Sequence, residues 1–292
     1  MAFTIHNNAL IALAAAASWG GGDFSGGMGV RASGGRMSGA IRFVILAHAI
    51  SLSVLLAILW AQHTGLPHGA PMLWAMVGGV TGALGLVAFY IALSRGGMGI
   101  SAAISGLLAA AIPAMVSSAL EGAPGAMRLA GFALAGGAIW LIAAGESPES
   151  TGESSTTMAF AIFAGVAFGF YFVALKLANP LGLVMPMAIA RASSLVLCAP
   201  VLLVMQRGAS AAHGSWFAGW KWALGVALLD TSGNMLFMAA TRLGRLDVAS
   251  VLASLYPAGT ILLAAWHLHE RPTRRQVAGM VTALTAVAMI TL

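Results

Sequence analysis

A few ionisable and amide side chains stand inside long apolar runs, and these carry whatever chemistry the chain performs. Asp230 and Asn234 are four apart in Leu229-Asp-Thr-Ser-Gly-Asn234, so on a helix they share one face. Thr231 lies beside them, and Ser232 points elsewhere. A charge near the centre of a bilayer costs from about 3 kcal/mol upward and needs a partner or a wet cavity. Asp230 is therefore either the wall of a cavity that takes a polar or cationic group or a proton, or a buried acid bonded to a neighbouring helix.

Asp23 sits in Trp19-Gly-Gly-Gly-Asp-Phe-Ser-Gly-Gly27, with five glycines in nine residues. Each glycine weakens a helix by about 1 kcal/mol relative to alanine. Such a stretch serves close helix contact, or a local break that frees carbonyls for a ligand. Arg42 and Arg191 each stand near the start of an apolar run. They either snorkel to the interface, or one faces a cavity to hold a carboxylate or to pair with Asp23 or Asp230. His48 is near the middle of its run: a packed, satisfied residue, or a group titrating near neutral pH if it faces a cavity. Among the aromatics, Trp19, Phe89, Tyr171 and Phe237 are candidates to close a gate.

Two other chemistries are missing from the sequence. No His-x-x-His or Cys/His spacing suggests a metal, and no Walker-type lysine suggests nucleotide hydrolysis. No cofactor is expected, and active transport would run on an ion gradient or exchange. The single cysteine, Cys198, cannot form an intrachain disulfide and reads as packing.

The composition says what must position these groups. The 292 residues are 60% hydrophobic and 8% charged, against about 25% charged in soluble domains. That is too little charge to cover a water-facing surface. The net charge of +6 comes from 14 Lys and Arg scattered along the chain, not gathered on the one face that nucleic acid requires. A soluble enzyme, a disordered chain and a nucleic-acid binder are thereby excluded.

A membrane helix needs about 20 apolar residues. Ten such runs are present, at 8–28, 38–60, 72–94, 99–120 and 127–144, then 158–178, 185–205, 220–241, 248–268 and 277–292. They are continuous and do not alternate, which favours helices over barrel strands. The first is expected to remain as a span, since no basic leader precedes it. Residues 146–157 form the long polar linker between the sets.

The halves resemble each other at an offset of 148–149: Trp74, Gly85, Phe89 and Gly96 match Trp222, Gly233, Phe237 and Gly244. Arg42 matches Arg191, and Glu121 matches Glu270. Five spans per half is odd, so a duplicated half enters the membrane upside down. The expected fold is an all-α integral membrane protein of ten transmembrane helices in two inverted five-helix repeats. Its domains are 1–145, the linker 146–157, and 158–292.

The chain resembles the EamA-like branch of the drug/metabolite transporter superfamily. The resemblance rests on Trp19-Gly20, on the Arg opening spans two and seven, on Pro257 with His269-Glu270-Arg271-Pro272, and on Gly279 in the last span. The first half departs from it: Pro113 lies only eight residues before Glu121, and no Arg follows that acid. The resemblance implies a carrier of small metabolites, amino acids, sugars or drugs in the cell (inner) membrane, tilted toward export.

The leading expectation is a secondary transporter working by alternating access. Asp230, Asn234, Asp23, Trp19, His48, Arg42 and Arg191 are its candidate substrate-binding residues. Its partners are the lipid bilayer, a small molecule and a coupling proton, and either a monomer or a homodimer would serve. Two other readings are an intramembrane aspartyl protease using Asp23 and Asp230, since Gly20-Gly-Gly-Asp23 fits a Gly-x-Gly-Asp pattern, and a non-transporting scaffold. Orientation cues conflict. Four basic residues on the side of the termini against eight opposite put the termini outside, whereas the resemblance implies the cytoplasm.

Overall fold

The structure is a computed structural model that describes residues 2–34, 36–65, 67–95, 98–143, 155–207, 219–268 and 273–291. Gly96, His269, Glu270, Arg271, Pro272 and most of the 146–157 linker, all used above, lie outside the described residues. Among the described residues there are eleven α-helices and no strand. They are α1 (Ala2–Ala32), α2 (Met37–Ala61), α3 (Ala70–Ser94), α4 (Met98–Glu121), α5 (Ala126–Ala143), α6 (Ser155–Ala178), α7 (Val184–Arg207), α8 (Trp220–Leu243), α9 (Leu246–Ala253), α10 (Tyr256–Leu268) and α11 (Arg274–Thr291). One 3-10 turn, Asn179–Leu181, joins α6 to α7.

Seven described segments are long and apolar enough to cross a membrane: Met37–Ala61, Ala70–Ser94, Ser101–Glu121, Ser155–Leu181, Val184–Gln206, Trp220–Leu243 and Leu246–His267. The chain is a multi-pass membrane protein. The expected count of ten spans is thus met only in part. The apolar helix Ala126–Ile142 is too short by the same measure. α1 is long enough, but its glycines and Asp23 dilute its apolar character. Trp60, Trp140 and Trp266 are among the exposed side chains, as lipid-facing aromatics are.

Span 246–267 is not one helix. Pro257 has no backbone N–H to give the preceding turn, and the chain breaks between α9 and α10 at Ser254–Leu255. Broken backbone at membrane depth is tolerated where protein or a cavity surrounds it, and all of 250–257 is buried.

The glycine-rich stretch of α1 is an unbroken helix, so of the two expected uses the structure shows close contact. A Cβ on Gly20 would stand 2.9 Å from Gly259 Cα and from Tyr256 O; one on Gly22 would stand 3.3 Å from the Asp230 backbone nitrogen. α1 therefore lies tightly against α8 and α10, and its neighbours hold the helix that glycine alone would weaken.

Extensive pairing joins α1 to α8, α3 to α6, α5 to α11, α4 to α6 and α2 to α7. One end of the bundle is tied by polar groups. Lys176 Nζ donates to Thr241 O at 2.6 Å and lies 3.5 Å from Glu121. Glu121 also accepts from Ser117 Oγ at 2.7 Å and from the Leu246 backbone N–H at 3.2 Å. Arg245 donates to Glu121 O and Gly122 O. Its hydrogen bonds to Asp247 hold the guanidinium above its ordinary range.

Candidate functional site

Asp230 faces across α8 to α7. Arg191 donates from one terminal nitrogen to Asp230 Oδ2 at 2.5 Å and to Thr231 Oγ1 at 3.2 Å. Asn234, one turn on, donates to the same Oδ2 at 3.1 Å, as the i, i+4 spacing requires. Ser232 is exposed on the other face. Arg191 is 4% exposed, so it does not snorkel; its charge is balanced inside the protein. Its repeat-related partner Arg42 is only part-buried and binds Ser38 O of its own helix at 3.3 Å, outside the cavity.

His48 completes the arrangement from α2. Arg191 donates to His48 Nε2 at 3.0 Å. A guanidinium has no acceptor, so Nε2 presents its lone pair, and Nδ1 carries the hydrogen toward Ser194 Oγ at 2.6 Å. Both ring nitrogens are used, and His48 orients the guanidinium without lining the cavity. Ser51 Oγ and Thr231 Oγ1, 2.6 Å apart, tie α2 to α8 beside it. Neither Ser51 nor Ser194 carries a sequence signal beyond being a polar residue in an apolar run.

Next to this network is a cavity of about 40 Å³, lined by Trp19, Asp23, Arg191, Asp230, Asn234 and five further residues of aromatic or aliphatic character plus Gly82. A water needs roughly 10–15 Å³ of such space, so this state has room for two or three waters. Asp23 is 9% exposed and has no hydrogen bond or ion pair among the described residues. Three more lining groups, Arg191 Nε, Asn234 Oδ1 and Tyr171 OH, are buried with no partner. Unsatisfied buried polar atoms are uncommon in proteins and call for an occupant.

The remaining wall is aromatic. Trp19 stacks on Phe172 at 4.9 Å with an interplanar angle of 3°, and Phe168, Tyr171 and Tyr256 stand around it. Tyr256, at the α9–α10 break, is held by bonds to Ala102 O at 3.2 Å and Ser105 Oγ at 3.0 Å. Of the four expected gate aromatics, Trp19 and Tyr171 reach the cavity. Phe89 and Phe237 are fully buried behind it. Phe168, Phe172 and Tyr256 were missed; Pro257, which breaks the helix beside Tyr256, was the available signal.

The cavity and its setting define a polyhelical membrane protein with a polar centre. Residues 155–292 match the model of the EamA-like transporter family. A solved structure described only as "Crystal structure of protein" matches over 97% of this chain and 95% of its own, with a TM-score of 0.72 and 16% identity. At that identity the likeness shows the fold alone, and it extends through the first half. No curated protein matches this chain in sequence.

Proposed function

We propose that the chain is a secondary transporter that exchanges a small organic cation for protons across the cell (inner) membrane, in the export direction. One observation carries the substrate class: Asp23 is a buried carboxylate with no hydrogen-bonding partner among the described residues, in a cavity whose other carboxylate is already matched by Arg191. That leaves one negative charge to be met by a proton or a cation. Aromatic faces attract cations and are the usual walls of ammonium sites, and Trp19, Phe172 and Tyr256 supply them. The unpartnered Asn234 Oδ1 offers a second acceptor. Proton and substrate compete for Asp23, so binding one releases the other and the two fluxes are coupled.

Alternating access follows from ten spans in two inverted repeats, 1–145 and 158–292, joined by the 146–157 linker. The helix pairings support this plan, because exchanging the halves turns the α1–α8 pair into the α6–α3 pair and maps α2–α7 onto itself. The matched positions behave alike. A Cβ on Gly233 would stand 2.5 Å from Trp19, and one on Gly85 would stand 2.7 Å from Phe168. Phe237 lies 5.6 Å from Trp19, and Phe89 lies 5.6 Å from Phe168. A site at the junction of two such halves is reached from either side by rocking one against the other. The small cavity fits a closed stage of that cycle, since drug-sized ligands occupy about 300–1,000 Å³. One chain supplies both halves, so a monomer suffices.

The protease reading loses support at the same place. Asp23 and Asp230 line one cavity, but no hydrogen bond joins them, and Arg191 and Asn234 occupy Asp230 Oδ2. A catalytic acid pair must share a proton.

The test is a proteoliposome assay. An imposed pH gradient should drive accumulation of benzyltrimethylammonium, and Asp23→Asn should abolish it while the variant still inserts. Equal accumulation without a gradient, or in the variant, would overturn the coupling. Transport of neutral or anionic solutes in its place would overturn the substrate class.

A further inference from the structure

A second cavity lies away from the polar centre. It is a groove of about 710 Å³ between α2 and α3 of the first half and α6 and α7 of the second. Its walls are apolar: Ile41, Leu84, Phe160, Cys198 and Val201 are among them. Leu84 and Val201 are each 42% exposed, so the groove opens toward lipid. Its volume falls in the range that holds a drug-sized molecule, about 300–1,000 Å³, yet it presents no group to orient a polar substrate.

One end of the groove has a different chemistry. Met37, the first residue of α2, and Thr156, in the first turn of α6, both line it. Two helix N-termini thus meet there, with their N–H groups and the positive ends of their dipoles. The N-cap residue of α2 is Arg36, which makes no side-chain cap and has no acceptor to offer. Arg95, at the end of α3, lies over the Phe160 ring at 5.2 Å to the centroid, on the groove wall. Arg36 and Arg95 are both exposed. The mouth therefore has Arg95 over its wall, Arg36 one residue before its lining Met37, and two helix N-termini above an apolar slot.

We propose that this groove is a binding site for an anionic phospholipid, with one acyl chain between the two halves and the phosphate held by Arg95 and Arg36 at the α2 and α6 N-termini. The apolar slot matches a chain, the mouth matches an anion, and the opening to lipid gives the entry path. Because the groove is walled by both halves, its occupant bears on their relative movement. The inference needs only the membrane setting and stands apart from the transport reaction proposed above.

The test uses the full chain in detergent with added lipid, followed by native mass spectrometry. One phosphatidylglycerol should be retained per chain, with phosphatidylcholine lost under the same conditions. Arg95→Gln should weaken phosphatidylglycerol retention about fivefold, the share of one surface arginine in anionic-lipid attraction. Leu84→Trp, a change at an exposed position, fills the slot and should remove retention of either lipid. Equal retention of the two lipids would remove the headgroup site. Retention unchanged in both variants would place the lipid elsewhere and overturn the proposal.

Discussion

Asp23 and Asp230 line the same cavity, and replacing each by asparagine should change stability by very different amounts. Asp230 accepts from Arg191 at 2.5 Å and from Asn234 at 3.1 Å. Asp230→Asn leaves the 4%-exposed arginine without its counter-charge. Removing one partner of a buried ion pair costs about 3–5 kcal/mol. Asp23 has no such partner among the described residues, so Asp23→Asn breaks no ion pair and should leave stability close to that of the parent. The two variants then differ by about 4 kcal/mol, near a thousandfold in the ratio of folded to unfolded protein. Denaturant titration in mixed micelles, followed by tryptophan fluorescence, measures both, and substrate counterflow in proteoliposomes should be lost in both. An Asp23→Asn protein destabilised as much as Asp230→Asn would refute the reasoning. It would mean that Asp23 holds the fold together through a partner, leaving no free carboxylate for a ligand.

Other substitutions probe the surrounding structure. Gly233→Ala would place its Cβ 2.5 Å from Trp19 Cδ1; overpacking of this kind costs about 1–3 kcal/mol, and counterflow should fall with the displaced indole. Tyr256→Phe removes bonds to Ser105 and Ala102 and should cost about 1 kcal/mol, read as a lower unfolding midpoint. Lys176→Met at the tied end should change stability by less than about 1 kcal/mol, because the Lys176 and Glu121 side chains are 29% and 26% exposed and such pairs are weak; a larger loss would show that the tie is structural. His63 has φ 49° without being glycine, so His63→Gly should stabilise the chain by about 1 kcal/mol.

The membrane setting and most of the helices were legible in the sequence, because a bilayer forces the apolar residues of each span into one long run. The Asp230–Asn234 pair was legible for a similar reason: i, i+4 spacing fixes a shared helix face whatever the helix packs against. Arg191 and Arg42 show where this local logic stops. As residues near the starts of matched spans they read alike, yet one is buried against Asp230 and His48 while the other binds its own helix. Only the neighbouring helices make that difference, since a charge becomes a partner or a surface group according to what stands opposite it.

The sequence by itself determined that the chain lives in lipid, that its polar residues are few, and which of them share a helix face. It did so because hydropathy and helical periodicity are properties of neighbours along the chain. Tertiary structure alone decided that Arg191 neutralises Asp230, that Asp23 has no partner among the described residues, and that Tyr256 and Phe172 wall the cavity. Those outcomes depend on α1 meeting α8 and on α7 meeting α2, contacts between residues far apart in sequence, where no periodic pattern can record which side chain faces which.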